Sequence, residues 1–303
     1  MRVDLIFFLL LFLTIAPTSQ AAAIHEAAKK GDVAALTAAL DSGADANASD
    51  GIATPLYYAI DRSHLEAAKL LITRGANANL AAKWGPPLLA AAEAGKPEFV
   101  ELLLDAGADA AAVFKGQTAL HAVARNGCLD CVVALVEKGA DVNALTSLRQ
   151  PPIHFAKEKG HEAIADYLLS HGYIFPAPPP VTPRLAMADP VKGETLFKKN
   201  CRMCHAADSD TGNLKGPSLW NVVGRKRGTS PGYKYSSVLR GLGGDWSYEN
   251  LNIFISDPCR AIPGTDMLLN AESNMQNEIL NDAERADIIA YLRSRSDNPL
   301  PLP

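Results

Sequence analysis

The residues best suited to chemistry lie together, where Cys201 and Cys204 are separated by two residues and His205 follows directly. One helical turn brings both sulfurs to the same side, so each thiol can bond one vinyl group of a haem. His205 then projects toward the iron and can bind it through an imidazole nitrogen. A bare C-x-x-C pair can also be a redox dithiol or half a zinc site, but zinc needs a second ligand pair, and none follows at suitable spacing. The motif therefore predicts one covalently bound haem c, with its iron.

Length and composition place the chain among folded proteins with more than one part. A chain of 303 residues predicts two domains, or one domain plus a repeat array. Its hydrophobic fraction of 48% and charged fraction of 20% are typical of folded protein. The net charge of −4 gives no case for nucleic-acid binding, which favours a basic stripe.

The N-terminus, residues 1–22, is typical of a signal peptide. Arg2 precedes an apolar run, and Ser19-Gln20-Ala21 places small residues at the two positions that a signal peptidase reads. The run is shorter than the roughly 20 residues of a spanning helix, so no transmembrane span is expected after cleavage. An uncleaved anchor is the alternative, because Asp4 weakens the positive region. Thiol ligation of haem belongs to an oxidising space, so the chain is expected in the periplasm of a Gram-negative bacterium.

The middle of the chain, residues 23–175, repeats itself with a period of 32–33 residues. Successive units open at Thr54-Pro55-Leu56, Pro86-Pro87-Leu88, Thr118-Ala119-Leu120 and Pro151-Pro152-Ile153. The second helices are expected to end at Gly43, Gly75, Gly107, Gly139 and Gly172. This pattern resembles the ankyrin repeat, a pair of short antiparallel helices and a turn that is stable only when neighbours stack. The resemblance implies about five repeats that form an α-solenoid and dock a protein of unknown identity.

Four side chains within the repeats could be mistaken for functional groups. His121 and His154 occupy the histidine position of the repeat opening, so we expect them to bond the backbone of an adjacent turn; haem or metal ligation is the alternative. Cys128 and Cys131 also form a C-x-x-C pair, but valine follows where haem attachment needs histidine. Buried free thiols are the preferred interpretation, and an intrahelical disulfide is the alternative.

A proline-rich linker, residues 176–186, interrupts the repeats. Its eight residues from Pro176 to Pro183 predict an extended, semi-rigid spacer. Few contacts cross such a boundary, so we expect the two folded parts to be separable.

The segment 187–298 resembles the class I cytochromes c, and residues 299–303 are left as a tail. The resemblance rests on Gly193–Phe197, Leu214–Leu219, Val223–Lys226, Pro231–Ser236 and Ala283–Leu292. It implies that the carbonyl of Pro217 accepts a hydrogen bond from the proximal imidazole. It also implies that Arg225, Tyr235 and Trp246 lie in the haem propionate region.

The second axial ligand is expected from the loop Ile262-Pro263-Gly264-Thr265-Asp266-Met267, which in this family presents a methionine to the iron. Met267 is the preferred ligand and Met275 the reserve, because the segment before the last helix is several residues longer than usual. A filled site with histidine and methionine favours electron transfer over catalysis. Cys259 has no obvious partner in the sequence, so an unpaired structural thiol is expected.

The sequence thus predicts an all-α chain, an ankyrin-repeat solenoid followed by a small class I cytochrome c domain. Its expected function is that of a periplasmic electron carrier that exchanges electrons with redox partner proteins. Two alternatives remain: a haem-based redox or ligand sensor that signals through the repeats, and a peroxidase-like enzyme if the distal methionine is labile.

Overall fold

The computed structural model describes residues 17–265, 267 and 280–303, and this part of the chain is helical. Its only β-structure is three isolated bridges, so the all-α prediction is confirmed. The chain divides into two compact units, residues 1–109 and 110–303. The first unit contains α1 (Pro17–Lys30), α2 (Val33–Asp41), α3 (Pro55–Asp61), α4 (Leu65–Thr73), α5 (Pro87–Glu93) and α6 (Pro97–Asp105). The second contains α7 (Ala119–Asn126), α8 (Leu129–Glu137), α9 (Pro152–Lys159), α10 (Glu162–Ser170), α11 (Thr182–Leu185), α12 (Pro190–Asn200), α13 (Ser237–Gly241), α14 (Tyr248–Ser256), α15 (Pro258–Ala261) and α16 (Asp282–Ser294).

The first unit is three helix pairs, α1/α2, α3/α4 and α5/α6. Proline at the first helical position and a preceding threonine start α3, where Thr54 Oγ1 accepts the N–H of Tyr57. Each second helix buries one leucine completely, namely Leu36, Leu71 or Leu103. Asn47 joins two successive turns, because its side chain donates to Gly75 O and accepts from Asn77 N. Short helices thus gain from their neighbours the burial that they cannot achieve alone.

The second unit begins with two more helix pairs, α7/α8 and α9/α10. His121 is buried and its Nε2 lies 3.1 Å from the carbonyl oxygens of both Ala144 and Gln150, which confirms the expected structural role. The interpretation of Cys128 and Cys131 as free thiols was wrong, because the two form a disulfide with a Cα–Cα distance of 5.3 Å. Cys128 caps α8 rather than lying within it, and the cap conformation brings the two sulfurs together.

The rest of the second unit is a small helical domain whose central contact is the crossing of α12 and α16. A side chain at Gly193 would overlap the backbone carbonyl of Asp287, so only glycine permits this close approach. The rings of Phe197 and Tyr291 pack beside the crossing, with centroids 5.3 Å apart. The buried core around it includes Phe197, Val222, Val223, Leu239, Trp246, Leu251, Phe254, Ile288, Ile289 and Leu292.

The segment expected to be an extended spacer differs from that prediction. Val181, the N-cap of the short helix α11, and Leu185, its last residue, are buried in the core of the helical domain. The Glu249 carboxylate accepts the backbone N–H of Val181 and of Thr182, and Asn252 donates to Pro179 O. Apolar burial and these hydrogen bonds outweigh the extended preference of the neighbouring prolines. The tail is also held, because Tyr248 donates its hydroxyl to Leu300 O at 2.8 Å.

Most of the expected signal peptide, residues 1–22, lies outside the described residues, and its last residues form the first turns of α1. No helix in the described part of the chain is both long and apolar enough to span a bilayer.

Candidate haem site

The C-x-x-C-H motif follows α12 directly and forms a turn. Cys201 is the C-cap of that helix, and its carbonyl accepts the N–H groups of Cys204 and His205 at 3.0 and 2.9 Å. This turn places the two thiols and the imidazole within one short stretch of backbone, as the spacing predicted. Burial, with a smaller contribution from Cys204, raises the pKa of Cys201 to about 12, so its thiol is neutral.

His205 is held in a single tautomer. Its Nδ1 lies 2.8 Å from Pro217 O, and because a carbonyl only accepts, Nδ1 carries the proton. The lone pair is therefore on Nε2, the atom that could bind iron. Burial lowers the pKa of His205, which keeps the imidazole neutral. A side chain at Gly216 would overlap the ring, so glycine at this position lets the loop lie against it.

The loop that carries Pro217 is fixed to the haem motif by backbone hydrogen bonds. Gly216 N donates to Cys204 O, and Leu219 N donates to Ala206 O, both at 2.7 Å. Sequence reasoning missed Asn213, whose Oδ1 accepts from Ser218 N while its Nδ2 donates to Pro231 O. Its side chain thus connects the loop that contains Pro217 to the segment that begins at Pro231. Asparagine in a turn is a weak signal, because many asparagines only stabilise their own turn.

The residues predicted to lie near propionates are all in this domain, where Tyr235 and Trp246 are buried and Arg225 is partly buried. Arg225 donates through Nη1 to Trp220 O and through Nη2 to Ser218 O, but its buried Nε has no partner in the described part of the chain. Burial lowers the pKa of this guanidinium, so an anionic partner would stabilise its charged form. An unpartnered, buried N–H of an arginine fits a carboxylate such as a haem propionate.

The loop expected to supply the second axial ligand follows α15. Met267 is partly buried against the apolar core, and its N–H donates to Thr265 Oγ1 at 3.4 Å. Cys259 is a free, buried thiol whose Sγ lies 3.6 Å from Met267 O, which agrees with the predicted structural role. Burial raises its pKa to about 12. The reserve ligand, Met275, lies outside the described residues.

The last repeat contacts this loop, a feature that the sequence did not predict. His154 Nδ1 accepts the backbone N–H of Gly264 at 3.0 Å, so this histidine bonds the loop in addition to its contact with Gln150 of the repeat. Arg149 forms an ion pair with Asp257 at 2.9 Å, and Tyr173 donates its hydroxyl to Arg260 O at 2.8 Å. Partners more than 80 residues apart in sequence carry no periodic signal that could have revealed them.

The fold and the site define a helical repeat protein joined to a small helical domain that carries a C-x-x-C-H turn. Comparison with known families agrees with this class. The model described as "Ankyrin repeats (3 copies)" matches residues 4–82, 24–113 and 88–177, and the model described as "Cytochrome c" matches residues 190–296. The chain belongs to the ankyrin repeat family and, through its C-terminal part, to the cytochrome c family.

Three relatives illustrate the second match. A cytochrome c homolog of Bradyrhizobium diazoefficiens is 41% identical over 125 residues, which cover 41% of this chain and 64% of that protein. Cytochrome c2 iso-1 of Rhodospirillum centenum is 36% identical over 36% of this chain and 98% of its own length. Cytochrome c of Sesamum indicum is 38% identical over 33% of this chain and 85% of its own length. The chain therefore spans less than two thirds of the first relative and most of the other two.

Family membership confirms the predicted cofactor, a covalently bound haem c with iron. It also supports a haem electron carrier rather than a catalyst, and the repeats indicate interaction with proteins.

Proposed function

We propose that this protein is a periplasmic electron carrier with one haem c, in which residues 23–175 dock a protein partner and residues 187–298 exchange electrons with redox proteins. The hydrogen bond from His205 Nδ1 to Pro217 O carries the proposal, because it leaves Nε2 able to bind iron. The signal peptide, residues 1–22, the connecting segment, 176–186, and the tail, 299–303, complete the proposed organisation.

Each site residue has one role in this proposal. Cys201 and Cys204 hold the haem as thioethers, and His205 binds the iron on the proximal side. Met267 binds it on the distal side, with Met275 as the reserve. The propionates lie near Arg225, Tyr235 and Trp246, and the unpartnered Nε of Arg225 supports this assignment.

Bound haem supplies a one-electron couple between ferrous and ferric iron. His205 and Met267 would both hold the iron, so no coordination position would be left for oxygen or peroxide. A thioether ligand favours ferrous iron, so ligation by Met267 gives a comparatively high potential. Cys201 is partly buried against the apolar core and His205 is buried, so both are shielded from bulk water.

Two features support the periplasmic location. The apolar run and small residues of the N-terminus are typical of an exported protein. The Cys128–Cys131 disulfide belongs to an oxidising space, as does the attachment of haem to two thiols.

The test is expression of the full chain with the haem-maturation machinery, followed by cell fractionation and a redox titration. The red protein should be recovered from the periplasm with one covalent haem and a reversible one-electron transition. Thiol labelling under denaturing conditions should modify Cys259 alone before reduction and Cys128 and Cys131 as well after it. As a control, the double variant Cys201→Ala, Cys204→Ala should retain no covalent haem. Recovery of haem protein from the cytoplasm alone, or three free thiols in the haem protein before reduction, would contradict the proposal.

A second function, redox-linked signalling, is favoured by the contact between the last repeat and the distal loop. A change of state at the iron would reach the repeats through this contact. Its test is the affinity of a protein captured by the repeats, measured with the haem reduced and oxidised. A difference favours signalling, and equal affinities favour simple docking.

A further inference from the structure

We propose that His154, in the last ankyrin repeat, is a positioning residue for the distal haem ligand. It holds the backbone of the loop that ends at Met267, and so keeps the thioether on the iron. The inference rests on the proposed assignment of Met267 as a ligand.

The contact between the histidine and the loop is direct and buried. His154 is 2% exposed, and its Nδ1 accepts the N–H of Gly264, three residues before Met267. Because a neutral imidazole has one N–H, Nδ1 as acceptor places the proton on Nε2. Gln150 Nε2 lies 3.0 Å from His154 Nε2. Because the nitrogen and oxygen of an amide interchange by a flip, the His154 Nε2–H donates to Gln150 with Oε1 in that position, and this bond fixes the ring orientation. The repeat thus presents a pre-oriented acceptor to the loop.

The loop can reach this acceptor only because residue 264 is glycine. Gly264 has a φ of +85°, which side chains rarely adopt. A Cβ atom there would also lie 2.9 Å from Glu158 N, Lys157 Cβ and Val238 Cγ2. Backbone of α9 in the repeat and a side chain of α13 in the haem domain therefore enclose the loop from two sides.

Two further contacts hold the helix that leads into the loop. Asp257, the N-cap of α15, accepts from Arg149 Nε and Nη2 at 3.2 and 2.9 Å. At the end of α15, Arg260 donates through Nη2 to Ile174 O, and its carbonyl accepts from Tyr173. The repeat therefore contacts α15 at both ends and the loop at Gly264.

This arrangement makes loop opening costly. Displacement of Met267 by an added ligand requires the loop to move, and movement leaves Gly264 N or His154 Nδ1 without its partner. The bound thioether is stabilised by whatever stabilises the closed loop. A variant without the acceptor should therefore lose the thioether more readily.

The experiment titrates the ferric full-length protein with imidazole and follows loss of the far-red absorption band of the methionine–iron bond. His154→Ala removes the acceptor, and we expect imidazole to bind about tenfold more tightly, with a lower midpoint potential. His154→Asn keeps an acceptor near the Nδ1 position and should restore most of the wild-type affinity. His121→Ala is the matched control, because this histidine has the same place in the preceding repeat and bonds only residues of the repeats.

The outcomes separate this inference from the assignment on which it rests. A wild-type spectrum without the methionine–iron band would refute Met267 ligation itself. A wild-type spectrum with the band, and equal imidazole affinity in His154→Ala, would refute the positioning role alone. An effect of His121→Ala as large as that of His154→Ala would also overturn it, because general loosening of the repeats would then explain both.

Discussion

At the residue scale, the chemistry of the site follows from which atoms already have partners. Pro217 O occupies Nδ1 of His205, and two backbone carbonyls occupy the terminal nitrogens of Arg225. The groups left over are an imidazole lone pair and one buried guanidinium N–H. A haem offers an electron-pair acceptor and a carboxylate to match them. The motif residues were evident from sequence, whereas the free Nε of Arg225 required the contacts of its other nitrogens.

Replacement of the proposed distal ligand tests the residue assignment. In Met267→Ala, the far-red methionine–iron band should disappear and the midpoint potential should fall, because the thioether stabilises ferrous iron. Visible spectroscopy and a redox titration measure both effects. Met275→Ala is the control and should leave both unchanged; the reverse result would transfer the ligand role to Met275.

At the element scale, the haem domain depends on how closely two helices approach. Helices α12 and α16 cross at Gly193, and Asp189 N donates to the Asp287 side chain next to the crossing. Since α12 ends directly before the haem motif, the crossing determines the positions of Cys201 and Cys204 in the domain. The repeats depend instead on local capping, as at the start of α7. There the Thr118 side chain accepts the backbone N–H of His121, and the His121 side chain accepts the backbone N–H of Thr118.

The crossing predicts a large effect of one methyl group. Gly193→Ala should destabilise the haem domain by about 3 kcal/mol, because the new Cβ overlaps backbone that can only move with its helix. Thermal unfolding followed by haem absorbance measures the loss. Gly241→Ala is the matched control, since a Cβ at the end of α13 meets nothing within 4 Å. Equal melting temperatures for the two variants would contradict the close crossing.

The buried histidine of the repeat opening predicts a pH dependence of stability. Burial lowers the pKa of His121 from 6.5 to about 4, so the unfolded chain binds more protons between these values. Neutral His121 therefore contributes about 3 kcal/mol to the free energy of unfolding above pH 6.5, and this contribution is lost as the pH falls toward 4.

Urea unfolding at several pH values, followed by far-ultraviolet circular dichroism, measures this slope. His121→Gln removes the titrating group, so its stability should vary less over the same window. If nuclear magnetic resonance shows that the His121 imidazole titrates near pH 6.5 in the folded protein, the prediction is disproved.

At the scale of the whole molecule, the last repeats and the haem domain are parts of one compact unit. The expectation of a spacer between independent parts fails because Val181 and Leu185 enter the haem domain core and because Arg149, His154 and Tyr173 contact α15 and its loop. A partner that binds the last repeat would therefore bind an element that directly contacts α15 and the loop of Met267, the proposed distal ligand.

Cleavage of the chain tests this continuity. A protease site inserted between Phe175 and Pro178 should leave the haem attached, but it turns the contacts of the repeats into contacts between two fragments. The melting temperature of the haem domain should then fall on dilution, whereas that of the intact chain should not. A melting temperature that stays equal to that of the intact chain at every concentration would show that the parts are independent.

The sequence by itself determined the features that depend on local spacing. Five consecutive residues defined the haem motif, and glycines 32 or 33 residues apart defined the repeats, because each structure lies within one turn or one repeat. Only the tertiary structure decided that Cys128 and Cys131 form a disulfide and that residues 179–185 pack against the haem domain. It also decided that His154 accepts a hydrogen bond from Gly264. The first depends on a cap conformation, and the last joins residues 110 positions apart. Such contacts follow from the shapes of two assembled surfaces, and no periodicity of either segment encodes them.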